Sequence, residues 1–245
     1  MIRMRLCLLA LLLAACTNSA PISHGGPPPP QPTGPPIKYA AIGASETVGV
    51  GATDPTHDAW PQVFFRTALP QSTVFYNFGI PGASVGTALS DELPDALSVQ
   101  PTLVTVWLNF NDLVAGESAA VYEGQLDQLV HALRRGGAAR VLVANTPYLD
   151  HLPAYIECRG GTAPPGVTCP SPTIPGSDVL NADVAAYNES IARVVQRQGA
   201  ILVDLHSQGE VPDVHPDWVS SDGFHPSSSG YAAIAAEFAS ALKGS

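Results

Sequence analysis

Apolar segments alternate with amphipathic segments along residues 39–242, and this alternation limits the possible folds more than any other feature of the sequence. Five apolar segments have the length and composition of buried strands: residues 39–42, 73–78, 103–108, 140–144 and 201–204. Five others carry apolar residues at helical spacing: 59–69, 85–97, 118–135, 182–198 and 228–242. Because several strands are apolar on both faces, the pattern favours a parallel sheet covered by helices on each side. We therefore predict an α/β fold, a three-layer α/β/α sandwich with a central, mainly parallel five-stranded sheet.

Two segments break the alternation, and we interpret both as loops. Residues 46–56 are rich in glycine and polar side chains. Residues 146–180 contain many prolines and glycines and two cysteines, so we expect a long loop held by a disulfide. Within the segment 85–97, Pro94 is expected to kink or end the helix, because it lacks a backbone N–H.

The N-terminus has the pattern of an export signal. Arg3 and Arg5 precede an apolar run of about ten residues, which is too short to cross a bilayer as a helix. The run ends in Leu13-Ala14-Ala15-Cys16, which resembles the lipobox of bacterial lipoproteins. That resemblance implies cleavage before Cys16 and diacylation of Cys16, whereas the alternative is an ordinary secretory signal with an incidental cysteine.

The predicted organisation follows from this signal. Residues 1–15 are the signal peptide, residues 16–36 are the lipidated cysteine with a Pro-rich tether, and residues 37–245 form one folded domain. We expect an exported protein, anchored by its lipid to the bacterial cell envelope on its periplasmic or outer face. Contact with the membrane is expected only through this anchor, and the protein is expected to be a monomer.

Cysteine content and net charge restrict the partners of the mature chain. Cys158 and Cys169 remain once Cys7 leaves with the signal and Cys16 is acylated, and such a pair in an exported chain suggests a disulfide. A zinc site is the weaker interpretation, because no second pair of thiols or histidines surrounds them. The formal net charge of the full sequence is −10, and loss of Arg3 and Arg5 with the signal makes it about −12, which argues against nucleic acid or an anionic lipid surface as the main partner.

The segment around Asp222 and His225 has the spacing of a catalytic carboxylate and base. A carboxylate three residues away can bind one imidazole nitrogen and leave the other free to act as a base. The best nucleophile for such a base is Ser45, directly after the first predicted strand. Gly79 follows the second strand and Asn111 follows the third, and the carboxyl ends of parallel strands meet at one edge. A hydroxyl, a backbone N–H, an amide and an Asp–His pair could therefore converge, as acyl transfer requires.

Four short blocks in this order resemble those of the SGNH hydrolases, also called GDSL-type esterases. They are Gly43-Ala44-Ser45 for the nucleophile block, Gly79 within residues 77–82 for the glycine block, residues 109–112 for the Gly-x-Asn-Asp block, and residues 222–225 for the Asp-x-x-His block. The resemblance covers roughly residues 38–240 and implies the flavodoxin-like SGNH hydrolase fold.

The resemblance also implies a role for each matched residue. Ser45 would be the nucleophile, His225 the general base and then acid, and Asp222 the carboxylate that orients His225. The oxyanion hole would consist of the backbone N–H groups of Ser45 and Gly79 and the side-chain amide of Asn111. No metal or organic cofactor is implied, and the partner is a small ester molecule.

Two positions differ from the usual pattern of the family. Ala44 stands where Asp is usual beside the nucleophile, and Asn109 stands where a glycine usually opens the third block. We expect Asn109 to narrow the space beside the oxyanion hole and so to favour a small acyl group. The predicted function is hydrolysis of short-chain acyl or O-acetyl esters. Lysophospholipid or thioester hydrolysis on longer chains and a non-catalytic surface binding protein are the alternatives.

Other groupings of these residues are less favoured. His215 also lies near carboxylates, but its spacing does not fit the family pattern. Asp204, His206, His215 and His225 lack the tight spacing of a metal site. An α/β-hydrolase would need Gly-x-Ser-x-Gly, and Thr47 occupies the position of its second glycine.

Overall fold

Five parallel strands form one central sheet in the order β2-β1-β3-β4-β5. The structure is a computed structural model that describes residues 31–159, 169, 174–209 and 211–245. The strands are β1 Lys38–Gly43, β2 Val74–Asn77, β3 Leu103–Trp107, β4 Arg140–Ala144 and β5 Ile201–Val203. All five predicted strands are confirmed, and the sheet is parallel throughout.

Helices cover both faces of the sheet. Their bounds are α1 Ser45–Val48, α2 Pro55–Asp58, α3 Trp60–Ala68, α4 Val85–Thr87, α5 Leu93–Ser98, α6 Phe110–Val114, α7 Ala119–Arg134, α8 Pro153–Cys158, α9 Ser177–Gln198, α10 Val211–Val214 and α11 Ser228–Lys243. A π-helical turn spans Ala88–Glu92, and 3₁₀ turns span Arg135–Gly137, His206–Gln208 and Pro216–Trp218.

The two faces of the sheet bury separate sets of apolar side chains, because successive strand residues point to opposite sides. On one face, Ile42 and Val106 pack in a cluster that also contains Leu126 of α7 and Ile191 of α9. On the other face, Tyr39, Ala41 and Leu142 pack with residues of α3 and α11, where the rings of Trp60 and Phe238 stack with centroids 4.1 Å apart. This arrangement confirms the predicted three-layer α/β/α sandwich.

Short helices within the predicted loops are the main difference from the sequence-based expectation. Residues 46–56 contain most of α1 and the start of α2, and residues 146–180 contain α8 and the first turn of α9. Pro55 and Pro153 stand in the first turns of α2 and α8, where a missing N–H costs least. Segments of four to six residues are too short to show a helical repeat.

Pro94 does not end the second predicted helix. The chain forms the π-helical turn at Ala88–Glu92 and continues as α5, so that Pro94 falls in the first turn of that α-helical part. The helix therefore changes its winding just before Pro94 and ends at Ser98.

The end of the predicted tether contacts the domain. Pro32 O accepts a hydrogen bond from Gln71 N at 3.2 Å, and Gly34 O accepts one from Ser72 Oγ at 3.2 Å. The predicted signal peptide and Cys16 lie outside the described residues, so they remain predictions. Of the helices in the described ranges, none has the length and apolar character needed to cross a membrane.

The predicted disulfide between Cys158 and Cys169 is present. Cys158 ends α8 and is buried, so the bond ties Cys169 to this helix. Tyr155 of the same helix donates a hydrogen bond to Pro175 O at 2.7 Å, which fixes the chain just before α9.

Candidate active site

Ser45 is placed at the carboxyl edge of the sheet by a sharp turn from strand to helix. β1 ends at Gly43, and Ser45 is the first residue of α1. Ala44 O accepts hydrogen bonds from Thr47 N and Val48 N at 3.0 and 3.2 Å, so Ser45 lies within the hydrogen-bonded turn. The N–H of Ser45 belongs to the first helical turn, where amides have no partner within the helix.

The C-terminal segment reaches Ser45 through contacts with the loop that follows α1. Tyr231 donates its hydroxyl hydrogen to Val50 O at 2.6 Å, and Thr53 N donates to Ser228 Oγ at 3.0 Å. Gly51 packs so closely that a Cβ atom there would lie 2.9 Å from Cβ of His225. These contacts bring together two parts of the chain that are far apart in sequence.

Ser45, Asn111, Asp222 and His225 line one cavity of about 570 Å³, here called the Ser45 cavity. Its remaining wall is mainly apolar and includes Phe110, Leu149, Leu152 and Phe224. Four of the five residues predicted as triad or oxyanion-hole groups therefore meet at one site.

Asp222 and His225 form the predicted carboxylate–imidazole pair. Asp222 Oδ2 and His225 Nδ1 are 2.6 Å apart. Asp222 Oδ1 accepts hydrogen bonds from Phe224 N at 2.8 Å, His225 N at 2.9 Å and Ser220 Oγ at 2.7 Å. Burial opposes ionisation of Asp222, but these bonds outweigh it and lower its pKa below the ordinary value. The carboxylate is thus held ionised and directed at one ring nitrogen.

Glu46 is a site residue that the sequence analysis missed. The Ser45 hydroxyl donates to Glu46 Oε2 at 3.3 Å, and within the described residues no hydrogen bond joins it to His225. Glu46 is only 8% exposed, and burial raises its pKa although the nearby His225 and Ser45 oppose that shift. A rotation about the single Cα–Cβ bond moves a serine hydroxyl between staggered positions, so Ser45 can exchange Glu46 for another acceptor.

Asn111 and Asp112 connect the third block to the loop after β2. Asn111 Nδ2 donates one hydrogen to Ala83 O at 3.0 Å, and its second amide hydrogen is available to a ligand. The buried Asp112 carboxylate accepts from Val85 N at 3.0 and 3.2 Å, and burial raises its pKa to about 6. Together these two side chains fix residues 83–85.

The structure does not place Gly79 at the Ser45 cavity. The Gly79 N–H donates to Asn77 Oδ1 at 3.0 Å and is therefore occupied. A Cβ at this position would lie 2.9 Å from Thr47 Cγ2, so glycine is required here for packing. The prediction that the Gly79 N–H serves the oxyanion hole needs correction.

Gly82 lines the Ser45 cavity instead. Its φ of +80° is a conformation that suits glycine, and Ala83 N donates to Ile80 O at 2.9 Å to close a turn with Pro81 in its second position. Within the described part of the chain, the Gly82 N–H has no hydrogen-bond partner.

A buried carboxyl group hydrogen-bonds to the backbone just before Ser45. Glu92 is 1% exposed, and its Oε2 accepts from Gly43 N at 2.9 Å. Burial raises the pKa of Glu92 from 4.5 to about 8, and the hydrogen bond from Gly43 only partly opposes this. Because the folded protein holds this proton more tightly than the unfolded chain, stability should fall as pH rises from about 4.5 to about 8.

We expect Glu92→Gln to stabilise the protein at alkaline pH. Glutamine keeps the acceptor for Gly43 N without a carboxyl to ionise, so its advantage in free energy of unfolding should grow from near zero at about pH 4.5 to roughly 3–5 kcal/mol above about pH 8. Denaturant unfolding across this range measures it, with the exposed Glu189→Gln as the control that should show no such trend. An advantage of Glu92→Gln that is constant with pH would contradict this assignment.

The other histidines near carboxylates have separate contacts. The His215 ring stacks on Trp218 with centroids 3.9 Å apart, and the His206 ring stacks on Tyr148 at 4.0 Å. No group of three or more His, Cys, Asp or Glu side chains that could hold a metal ion occurs in residues 31–159, 169, 174–209 and 211–245.

A second cavity of about 130 Å³ lies beside the Ser45 cavity. Asn109 lies in its wall and is 5% exposed, and the Nδ2 of Asn109 has no hydrogen-bond partner within the described residues. Asn109 thus borders the second cavity and not the Ser45 cavity, and its effect on the size of the acyl group stays a prediction.

Comparisons with known proteins show the family and the fold of this chain. Residues 41–233 match the model of the GDSL-like Lipase/Acylhydrolase family. Among solved structures, the chain is similar to TesA, with a TM-score of 0.63 and 18% identity over 84% of this chain and 98% of that one. A lipase/acylhydrolase from Enterococcus faecalis has a TM-score of 0.63 and 19% identity over 85% and 96%.

The psychrotrophic esterase EstA from Pseudoalteromonas sp. has a TM-score of 0.61 and 16% identity over 85% of this chain and 97% of its own. No curated protein matches the sequence. At these identities, the structural neighbours show a shared fold.

Proposed function

The chain belongs to the GDSL-like Lipase/Acylhydrolase family, and from this premise we propose that it is a serine hydrolase that cleaves carboxylic esters through an acyl-enzyme at Ser45. The observation that carries the proposal is that Ser45, Asn111, Asp222 and His225 line one cavity, with Asp222 and His225 joined at 2.6 Å.

In the proposed acylation step, Ser45 Oγ turns from Glu46 to His225 and attacks the ester carbonyl carbon. His225 takes the hydroxyl proton and then gives it to the leaving alcohol. Asp222 keeps Nδ1 protonated and stabilises the imidazolium that forms. Water then attacks the acyl-enzyme with the same base, releasing the carboxylic acid and restoring Ser45.

The proposed oxyanion hole consists of the N–H groups of Ser45 and Gly82 and the side-chain amide of Asn111. Gly82 takes the place that the sequence analysis gave to Gly79, because the Gly79 N–H is occupied by Asn77. The hydrogen bond from Asn111 to Ala83 and the turn at residues 80–83 fix these donors relative to each other before the substrate binds.

We propose that the enzyme hydrolyses short-chain acyl or O-acetyl esters. We further propose that it needs no metal or organic cofactor and acts as a monomer. Export and acylation of Cys16 remain part of the proposal and would hold the enzyme at the cell envelope. Its acidic composition favours neutral small esters over nucleic acid as ligands.

Hydrolysis of p-nitrophenyl acetate by the purified protein tests the proposed function. The account predicts steady turnover by the wild-type protein and loss of turnover in Ser45→Ala. Equal rates for the two proteins would instead favour a binding protein that shares the fold.

We expect Asn111→Ala to lower kcat by about 100- to 1000-fold with little change in KM, because an oxyanion-hole donor acts mainly in the transition state. Steady-state kinetics on p-nitrophenyl acetate measure this. Asn181→Ala is the matched control, because the Asn181 amide bonds Asp150 and lies outside the walls of both cavities. If the two variants lose the same activity, Asn111 is not an oxyanion-hole donor.

A further inference from the structure

The second cavity and the Ser45 cavity are neighbours that share part of an apolar wall. Four apolar side chains border both cavities: Phe110, Leu149, Leu152 and Phe224. The rings of Phe110 and Phe224 pack with centroids 4.2 Å apart. Most of the remaining wall is also apolar and comes from the loop after β4, the segment before α11, and α11 itself.

The second cavity is bordered by a residue that hydrogen-bonds to the nucleophile. Glu46 borders it, and Glu46 Oε2 lies 3.3 Å from Ser45 Oγ, which borders the Ser45 cavity. Asn109 borders it as well, and its amide nitrogen has no partner within the described residues. The second cavity therefore lies close to a carbonyl group bound at Ser45.

We propose that the second cavity binds the acyl chain of a medium-chain ester, an inference that rests on the proposed ester hydrolysis at Ser45. An apolar cavity of about 150 Å³ accepts a benzene molecule, so this cavity suits a segment of about six carbons. Two acidic residues, Glu46 and Glu237, and no basic residue line the described wall of this cavity, so a neutral ester fits better than a free fatty acid.

The acyl chain rather than the alcohol is assigned to this cavity because of where His225 lies. The leaving alcohol must stay close to His225, which gives it a proton. Asp222 and His225 border the Ser45 cavity and not the second cavity, which Glu46 borders. The alcohol thus occupies the Ser45 cavity, and the acyl chain extends away from it.

A series of p-nitrophenyl esters with acyl chains of increasing length tests the proposal. Each buried methylene contributes up to about a fourfold gain in kcat/KM, so we expect octanoate to exceed acetate by at least about tenfold. Ala233→Phe, which fills the second cavity from α11, should lower the ratio of kcat/KM for octanoate to kcat/KM for acetate at least about tenfold. Ala232→Phe on the exposed side of the same helix should leave this ratio unchanged. Ile234→Ala, which enlarges the cavity, should move the optimum to longer chains.

A binding measurement tests the cavity assignment independently of the proposed catalysis. Trp107 and Trp218 border the second cavity, so methyl octanoate, but not methyl acetate, should change the tryptophan fluorescence of Ser45→Ala. Adding Ala233→Phe should abolish the change. If no ester is hydrolysed but this change occurs, the proposed function fails and the cavity assignment stands. The cavity assignment is overturned if kcat/KM does not depend on the length of the acyl chain and no fluorescence change occurs. It is also overturned if kcat/KM depends on chain length only in a series of alkyl acetates, in which the alcohol varies.

Discussion

Ser45→Ala is expected to lower kcat on p-nitrophenyl acetate by about 10⁴-fold or more, with KM changed little. Removing the hydroxyl removes the atom that forms the acyl-enzyme. Only the oxyanion-hole donors and substrate binding then remain to stabilise the transition state. Ser45 stands at the start of α1 with its hydroxyl bonded only to Glu46 among the described residues, so alanine should fit the same turn.

The matched control for this prediction is Ser220→Ala, which also removes a half-buried hydrogen-bonding hydroxyl next to the site. Ser220 Oγ donates to Asp222 at 2.7 Å, so its loss should reduce kcat far less than the loss of Ser45. Thermal unfolding should show that both variants are folded. A folded Ser45→Ala protein that keeps more than a small fraction of the wild-type kcat would contradict the assignment of the nucleophile.

Asp222→Asn is expected to lower kcat by about 10⁴-fold while leaving the fold intact. Asparagine keeps an oxygen to accept from Phe224 N and His225 N, as Asp222 Oδ1 does. It places an amide in the position of Oδ2, however, so His225 Nδ1 must accept a hydrogen there and the proton moves to the other ring nitrogen. That nitrogen can then no longer take the proton of Ser45.

A second Asp–His pair in the molecule supplies the control for Asp222→Asn. Asp213 Oδ2 lies 2.6 Å from His151 Nδ1, and neither residue borders the two cavities. Asp213→Asn makes the same chemical change and should leave kcat within about twofold of wild type, because Asp213 lies outside both cavities. Equal losses in the two variants would mean that Asp222 acts through stability and not by orienting His225.

The strands and long helices could be predicted from the sequence because each carries its own periodic or continuous apolar signal. The strand at Arg140–Ala144 and the helix at Ala119–Arg134 are examples, since the pattern of their buried apolar residues is sufficient to identify them. The short helices at Ser45–Val48 and Pro153–Cys158 carry no such repeat. Their formation depends on tertiary contacts, such as the hydrogen bond from Ala154 N to Gly223 O at 3.0 Å.

The residues of the site were predicted where a side chain carries the chemistry and not where backbone geometry does. Ser45, Asp222 and His225 can be identified by residue type and order. Gly79 and Gly82 are alike in type and follow the same strand, and the sequence does not show that Asn77 occupies the N–H of Gly79 while the N–H of Gly82 has no partner within the described residues. The Pro81-Gly82 pair was an available signal, since proline followed by glycine is typical of a turn that needs a positive φ. Glu46 had no signal beyond its place next to Ser45.

Covalent labelling with a fluorophosphonate tests most directly whether Ser45 is an activated nucleophile. The serine oxygen displaces fluoride from phosphorus, and His225 takes the serine proton, so the modified residue can be located by peptide mass spectrometry. The account predicts one adduct, on the peptide that contains Ser45, which is absent in Ser45→Ala and forms far more slowly in Asp222→Asn. An adduct on another residue, or equally fast labelling of Ser45 in Asp222→Asn, would contradict it.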